Sequence, residues 1–457
     1  MPQNVPMFAR WFDPMFRSEP MRRRVFSDVG RLEGMLNFEA ALARAQARAG
    51  VIPAAAAKAI GNQCRAEHFD LSTLAEASVA AGNSAIPVIK ELTRLVEAAD
   101  SAAAQYVHWG ATSQDAMDTG LVLQMREGLT LIETDARALA TALAKLARDY
   151  KEAPIAGRTW MQHAAPTTFG LKVAGWFSAI ARQIETLKAL RPQVTLVQLG
   201  GAVGTLSALG DQADKTLALL AEELNLGVSD LPWHAHRDRL VAVAAALGIL
   251  TGTLGKIAHD IALMTQSEIA ELAEPSPPGR GGSSSMPQKR NPVGCAAVLA
   301  TATRMPALVS TMLSAMSQEH ERALGGWQAE WETLPEIFLL TSGALAQMRY
   351  IIGGLQVNTE RMRANLEATH GQIYAESVSH ALSKKIGRPT AHRLLENAAR
   401  RATEENRHLR DVVLADPGIM THLSPEEITT LFKPDQHVRA AVRLVERALA
   451  AYKMGGA

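Results

Sequence analysis

One polar loop holds the residues of this chain that are best suited to chemistry. Residues 275–292 read PSPPGRGGSSSMPQKRNP. This segment places the consecutive serines 283–285 and several glycine amides close to the cations Lys289 and Arg290. Successive backbone N–H groups in a glycine-rich turn form a concave site for anions. The segment therefore favours an anionic ligand, although a solvated loop with a chance basic pair explains the same composition.

Three further polar segments interrupt the helical pattern, and a fourth lies near a predicted helix end. They are AGNSAIP (81–87), HWGATSQD (108–115), GRTWMQH (157–163) and QEHER (318–322). Because each lies at the end of a predicted helix, each can project polar groups into a shared pocket. Their side chains include Asn83, Ser84, His108, Thr112, Ser113, Thr159, Trp160, Gln162 and Arg322.

Each segment also has a purely structural interpretation. Residues 83 and 84 shape a turn, Thr112 or Ser113 caps a long helix, and Asp115 and Asp118 favour the positive end of that helix. His108 is then an ordinary interfacial histidine, residues 157–163 form a turn that enters a helix at Pro166, and residues 318–322 are a solvated helix end. No GxSxG, HExxH, P-loop or GxGxxG motif occurs in the sequence.

Composition limits the class of protein. A chain of 457 residues exceeds one compact core, so two or three domains are expected. Apolar residues make up 47% and aromatic residues only 5%, a mixture that favours helices over sheets. Forty-seven basic residues balance 46 acidic ones, so nucleic acid is not an expected partner.

Cysteine usage and the N-terminus indicate a cytoplasmic location. Cys64 and Cys295 show no metal-binding spacing, which fits a reduced compartment without structural zinc. The first twelve residues hold no apolar core of signal-peptide length. The longest apolar run, residues 240–255, is interrupted by Thr and Gly and is better interpreted as a buried helix than as a membrane span.

Long helices dominate the periodic pattern. Ser27 is a suitable N-cap for a helix that Gly50 ends. Residues from Ser113 to about 151 contain no proline and predict one long helix, and a second long run extends from about 167 to 190, before Pro192. Further starts are predicted near residues 293 and 358, and at the capping box of residues 424–427.

A heptad pattern predicts a central buried helix. Leu240, Leu247, Leu254 and Ile261 recur every seven residues, and an apolar residue follows each after three positions. This pattern indicates near-parallel helix packing, and the small apolar residues on the other faces indicate burial on most sides. We therefore predict an all-α protein with an N-terminal helical domain (1–112), a central long-helix bundle (113–358) and a C-terminal helical domain (359–457).

Three motifs together resemble one known superfamily. GSSSMPQKRNP (282–292) resembles the GSSxMPxKxNP signature of the fumarase/aspartase superfamily. HWGATSQDAMDT (108–119) resembles the second motif in its adenylosuccinate-lyase-like form, and GRTWMQHAAPTTFG (157–170) resembles the GRTHxQ motif. Detail outside the motifs, including SQEHERALGGWQAEWETLPE, is most similar to the bacterial carboxymuconate cycloisomerase branch of the superfamily. The resemblance covers nearly the whole chain.

The resemblance implies an architecture and a reaction. It implies three helical domains and a homotetramer whose central helices form one bundle and whose active sites combine motifs of different subunits. It further implies interconversion of 3-carboxy-cis,cis-muconate, a small tricarboxylate, and 4-carboxymuconolactone in protocatechuate breakdown. Neither a metal nor an organic cofactor is expected.

The resemblance also assigns roles to the candidate residues. Ser283 matches the serine that transfers the proton, although Ser284 stays open as the alternative. Lys289 and Asn291 match the groups that stabilise the negative charge of an aci-carboxylate intermediate. The resemblance thus makes Ser283, Lys289 and His108 the catalytic candidates. The candidate substrate contacts that it implies are Asn83, Ser84, Thr112, Ser113, Thr159, Trp160, Gln162, Ser284, Asn291 and Arg322.

Trp160 departs from the superfamily pattern. The lyases carry histidine at this position of GRTHxQ, where it is the favoured proton donor to a nitrogen leaving group. A carboxylate leaving group needs no such donor, because its conjugate acid has a pKa of about 4. Trp160 therefore favours lactone chemistry over an adenylosuccinate or argininosuccinate lyase, although His163 could compensate. A catalytically idle structural homologue is a further alternative.

Overall fold

A computed structural model describes residues 11–452 of the chain. The expectation about a signal peptide rests largely on residues 1–10, which lie outside the described residues. The predicted all-α class is confirmed, because helices make up most of the described chain and the strands form only two short ribbons.

The α-helices within residues 11–452 are α1 (Asp13–Phe16), α2 (Asp28–Ala49), α3 (Ala54–Gln63), α4 (Leu71–Ala81), α5 (Ala85–Ala99), α6 (Ser101–Ala104), α7 (Ser113–Asp149), α8 (Phe169–Val194), α9 (Ala213–Leu224), α10 (Asp238–Met264), α11 (Val293–Ser314), α12 (Gly326–Gly353), α13 (Thr359–Glu367), α14 (Ala375–Ile386), α15 (Arg388–Glu404), α16 (Leu409–Leu414), α17 (Pro417–Met420), α18 (Pro425–Leu431) and α19 (Arg439–Ala451). Several predicted caps are confirmed. Ser27 accepts a hydrogen bond from the N–H of Gly30, and Ser424 forms a complete capping box with Glu427.

Two antiparallel ribbons accompany the helices. Strands β1 (Pro154–Thr159) and β2 (Gln162–Thr168) form a hairpin, and β3 (Leu272–Ala273) pairs with β4 (Gln356–Val357). The prediction that residues 157–163 form a turn into a helix at Pro166 is wrong, since Pro166 lies in β2 and the helix begins at residue 169. Trp160 and Met161 both adopt positive φ angles, 52° and 65°, as a two-residue hairpin turn requires, and bulky residues there hid the turn from the sequence.

The long helices match their predictions apart from one boundary. Helix α7 begins at Ser113 as expected. Helix α8 continues through Pro192 to Val194 instead of ending before the proline. Pro192 lies in the last turn, where one backbone hydrogen bond is lost, while the adjacent Arg191 binds Glu133 at 3.0 Å and holds this end of the helix in place.

The described residues divide into two compact units. The first contains residues 11–136, 183–255 and 297–347, and the second contains residues 137–182, 256–296 and 348–452. In the first unit, helices α2, α3, α5 and α9 surround an apolar cluster that includes Phe38, Leu92 and Leu220. In the second, α13 to α18 surround a cluster that includes Tyr374 and Leu395. The three-domain division stays a prediction.

The heptad seam of α10 is buried along its whole length. All eight seam positions, from Leu240 to Met264, are at most 4% exposed. By length and composition alone, α10 and α11 are apolar enough to cross a membrane, but the apolar window of α10 is 61% buried inside the chain. The corresponding window of α11 is only 33% buried, so residues 11–452 leave much of that apolar helix uncovered.

Candidate active site

His108 lies in a tight turn that precedes α7. Its backbone is left-handed (φ 58°), and its Nδ1 lies 2.6 Å from Oε1 of the buried Glu39. Burial of the ring opposes protonation, but the charge and hydrogen bond of Glu39, together with the charge of Asp115, outweigh it and raise the pKa of His108. The raised pKa favours the protonated imidazole, which suits an anionic ligand.

Asp115 organises the start of α7 and a glycine-rich loop. Its fully buried carboxylate accepts hydrogen bonds from the N–H groups of Gly200 (3.0 Å) and Gly201 (2.9 Å) and from the N–H of Thr112 (3.0 Å). His234 Nε2 lies 2.7 Å from the same carboxylate. Asp115 thus does more than favour the helix dipole, because it fixes the loop against the motif that carries Thr112.

Arg322 contacts that same loop. Its Nη2 donates a hydrogen bond to the carbonyl oxygen of Ala202 at 2.8 Å and lies 3.5 Å from that of Gly201. Thr112 and Arg322, which are far apart in sequence, are therefore linked through one loop and the carboxylate of Asp115. The interpretation of residues 318–322 as a merely solvated helix end does not account for this contact.

A buried ion triad lies beside Asp115. Arg237 is fully buried and binds Asp118 (2.7 Å) and Glu330 (2.6 Å), and Trp327 Nε1 donates to Asp118 at 3.2 Å. Burial raises the pKa of Glu330, whereas the two carboxylates outweigh the burial of Arg237 and raise its pKa. Arg237 carries no motif signal in the sequence, and only its pairing with Asp118 and Glu330, more than ninety positions away, reveals it.

Asn83 and Ser84 perform local tasks in the structure. Asn83 Oδ1 accepts a hydrogen bond from the N–H of Ile86 at 3.0 Å, at the start of α5. The hydroxyl of Ser84 lies 3.9 Å from the sulfur of Met35. The prediction that this segment shapes a turn is confirmed, and its role as a substrate contact stays a prediction.

The hairpin presents Thr159, Trp160 and Gln162 at its exposed end. The Trp160 side chain is 98% exposed, so it forms no pocket wall within its own unit. Behind the tip, Arg158 donates two hydrogen bonds to the buried Glu271, at 2.9 and 2.7 Å. Glu271, which had no motif signal, therefore anchors the strand that leads to Thr159 and Trp160.

His163 pairs with Arg158 across the hairpin. Its Nδ1 is buried and has no hydrogen-bond partner among residues 11–452. Burial and the nearby charge of Arg158 lower the pKa of His163. A neutral imidazole at this position is a weak proton donor, so His163 is a poor replacement for the histidine that Trp160 displaces.

The loop of residues 275–292 brings Ser283 and Asn291 together. The Ser283 hydroxyl oxygen accepts hydrogen bonds from the N–H groups of Ser285 (3.4 Å) and Met286 (3.2 Å). Asn291 closes the loop, since its N–H donates to the carbonyl of Gly281 at 2.7 Å and its Nδ2 to that of Gly282 at 3.3 Å. Amide groups aimed at Ser283 Oγ stabilise negative charge there and make the hydroxyl easier to ionise.

The cations of this loop are exposed, and the residue that precedes the loop is held by hydrogen bonds to the start of α11. Lys289, Arg290 and Ser284 are exposed to solvent. Glu274, which directly precedes the loop, accepts hydrogen bonds from two N–H groups at the start of α11. These belong to Gly294 (3.0 Å) and Cys295 (2.6 Å). A cavity of about 620 Å³ lies below the loop, between Arg290, Asn291 and the residues around β4.

The candidate residues fall into two groups. The first unit contains Asn83, Ser84, His108, Thr112, Ser113 and Arg322, and the second contains Thr159, Trp160, Gln162, Ser283, Ser284, Lys289 and Asn291. Neither group holds a cluster of three or more His, Cys, Asp or Glu side chains that could bind a metal, within the part of the chain that the structure describes.

Comparisons with known proteins decide the family. Residues 16–306 match the family described as Lyase, and residues 371–448 match the adenylosuccinate lyase C-terminus family. The chain belongs to this lyase family. Membership agrees with the three sequence motifs and places the chain in the fumarase/aspartase superfamily.

Several members of the lyase family that share the same activity resemble the chain over nearly its full length. The chain is 53% identical to 3-carboxy-cis,cis-muconate cycloisomerase of Pseudomonas aeruginosa, over 96% of the chain and 95% of the relative. The crystal structure of 3-carboxy-cis,cis-muconate lactonizing enzyme from Pseudomonas putida has a TM-score of 0.92 at 48% identity, covering 97% and 98%. The corresponding cycloisomerase from Acinetobacter calcoaceticus has a TM-score of 0.92 at 40% identity, covering 97% and 100%.

Proposed function

We propose that this lyase-family protein is a cycloisomerase that interconverts 3-carboxy-cis,cis-muconate and 4-carboxymuconolactone in the breakdown of protocatechuate by the β-ketoadipate pathway. The observation that carries the proposal is the similarity to relatives of this activity over nearly the whole of both chains. Trp160 supports it, because lactone chemistry needs no strong proton donor at that position.

The reaction is an internal addition that neither oxidises nor reduces the substrate. A carboxylate oxygen attacks one carbon of the conjugated alkene, forming a C–O bond, and the electron pair moves to the neighbouring carbon. That carbon is next to another carboxylate, which takes up the charge as an aci-carboxylate. Protonation of the carbon then completes the lactone, and the reverse sequence opens it.

Ser283 is the proposed proton carrier. It donates its proton to the carbon in the lactonising direction and removes it in the other. The alkoxide formed on donation is stabilised by the amides of Ser285 and Met286, which already point at Oγ. Lys289 and Asn291 stabilise the aci-carboxylate, so the chemistry uses side chains and amides of the chain itself.

The remaining polar candidates bind a substrate with three carboxylates. On the first unit, Arg322 and His108, whose pKa is raised, supply positive charge, and Lys289 supplies it on the second. Neutral donors complete the set: Asn83, Ser84, Thr112, Ser113, Thr159, Gln162 and Ser284. Arg322 keeps the hydrogen bond from its Nη2 to the carbonyl oxygen of Ala202.

The proposed assembly is a cytoplasmic homotetramer with active sites shared between subunits. Two observations support association: two thirds of the apolar window of α11 is not buried within one chain, and the Trp160 and Met161 side chains are 98% and 73% exposed. Apolar surface of this kind is normally covered in the working protein. The proposed central bundle is built from residues 113–358.

Product analysis in heavy water tests the function. Purified protein is incubated with 3-carboxy-cis,cis-muconate in D₂O, and the product is examined by proton NMR. The proposal predicts a lactone that carries one deuterium. The deuterium lies on the carbon adjacent to the one that forms the new C–O bond. Release of fumarate from adenylosuccinate or argininosuccinate, with no lactone from carboxymuconate, would instead show a lyase.

A further inference from the structure

Glu39 is a buried acid that no motif accounts for. It lies in the middle of α2, is 1% exposed and sits in the apolar core of the first unit, next to Phe38 and Ala40. Its Oε1 lies 2.6 Å from Nδ1 of His108, and its Oε2 is buried without a hydrogen-bond partner in the described chain. An ionised carboxylate is costly to bury unless a cation compensates it, and His108 is the group in contact.

Helix α2 also fixes the direction in which the His108 ring points. Gln46, seven residues after Glu39 and equally buried, donates a hydrogen bond to the carbonyl of Trp109 at 2.6 Å. The left-handed turn at His108 is therefore held at the ring and at the next backbone carbonyl. Since Nδ1 faces Glu39, Nε2 is the ring nitrogen left for a ligand, and it has no partner among residues 11–452.

The carboxylates around His108 all favour its protonated form. Glu39 from α2 and Asp115 from α7 both face His108 and favour its protonated form. The Cys64 thiol near Glu39 is kept neutral, because burial raises its pKa, and it does not compete for the charge. Arg44, whose charge acts on that thiol, is bound to Glu223 at 2.8 Å. His108 is thus the natural counter-ion of Glu39.

We propose that Glu39 is a positioning residue that keeps His108 doubly protonated, so that its Nε2–H donates a charge-assisted hydrogen bond to one substrate carboxylate. The inference rests on the proposed function and deepens it, because it makes His108 a binding cation and leaves the proton transfer to Ser283. A carboxylate behind an imidazole fixes both the tautomer and the direction of the donor.

The proposal predicts a specific pH dependence. Because the pKa of His108 is raised, the ring loses its proton at a higher pH than an ordinary histidine does, and KM increases above that pH while kcat is maintained. In Glu39→Gln the amide oxygen still accepts the Nδ1–H, but the charge is gone. We expect the rise in KM to begin at lower pH and KM at pH 8 to be about tenfold higher, with kcat within about twofold.

Glu33→Gln is the matched control. It removes the same charge from the exposed face of the same helix and should leave the pH profile unchanged. A Glu39→Gln enzyme that loses thermal stability but keeps the wild-type pH profile of KM would overturn the proposal, because that result is the signature of a purely structural acid.

Histidine NMR tests the pair without turnover. Protein labelled with ¹³C at the histidine Cε1 is titrated, and His108→Asn assigns the signal. The proposal predicts that His108 titrates above an ordinary histidine and that Glu39→Gln moves its titration to lower pH. An unchanged titration in Glu39→Gln would overturn it. If the wild-type protein failed to convert carboxymuconate, the proposed function would be wrong. The titration would still decide whether Glu39 raises the pKa of His108.

Discussion

Arg158 and Glu271 form a bidentate ion pair. Nη1 of the arginine lies 2.9 Å from Oε2 of the glutamate, and Nη2 lies 2.7 Å from Oε1. Glu271 is fully buried and also accepts a hydrogen bond from Asn365 Nδ2 at 2.8 Å. The pair ties strand β1 to the segment before β3, one residue away from Thr159. It connects the exposed tip of the hairpin to the interior of the second unit.

Breaking this pair should destabilise the protein and weaken turnover. Glu271→Ala leaves Arg158 without its counter-ion, so we expect a loss of about 3 kcal/mol in the free energy of unfolding. Asp149→Ala, which breaks an exposed pair with Lys145 on α7, is the control and should cost less than about 1 kcal/mol. Chemical denaturation measures both losses. Equal losses would show that the buried pair stabilises the protein no more than the exposed pair does.

Replacing Ser283 should abolish the chemistry without disturbing the protein. In Ser283→Ala the proton carrier is gone, and we expect kcat to fall by about 10³-fold or more. The thermal midpoint and the oligomeric state, followed by sedimentation, should be unchanged, because the side chain lies in a loop and, within residues 11–452, bonds to nearby amides.

Ser284→Ala is the matched control for that variant. Ser284 is an exposed neighbour, and its loss should reduce kcat much less than the loss of Ser283. The opposite order, with wild-type turnover in Ser283→Ala, would transfer the role to Ser284.

Restoring histidine at position 160 should not create a lyase. Trp160→His supplies the donor type found in the lyases, but the proposed contacts suit a different substrate, and burial and Arg158 lower the pKa of His163. We expect no fumarate from adenylosuccinate or argininosuccinate in a coupled assay. Fumarate formation by this variant would mean that residue 160 alone separates the two reactions.

Features with local causes could be predicted from the sequence. The start of α7 at Ser113, the Ser27 and Ser424 caps and the buried seam of α10 follow from capping and periodicity, which depend on neighbouring residues. The polar loop of residues 275–292 was predicted for the same reason, since Pro, Gly and Ser determine it directly.

Features with distant causes could not be predicted. Glu39, Asp115 and Arg237 act through partners 69 to 119 positions away, and no spacing rule connects such pairs. The hairpin at residues 154–168 was missed because its turn uses Trp160 and Met161, where hairpin turns normally use Gly or Asn. The continuation of α8 past Pro192 depends on the contact between Arg191 and Glu133.

The ultraviolet absorbance of 3-carboxy-cis,cis-muconate, followed after addition of purified protein in the presence of EDTA, tests the central claim most directly. Lactone formation breaks the conjugated diene, so the account predicts that absorbance falls at a rate proportional to protein concentration and independent of added metal. Unchanged absorbance with active, folded protein would contradict the proposed cycloisomerase activity.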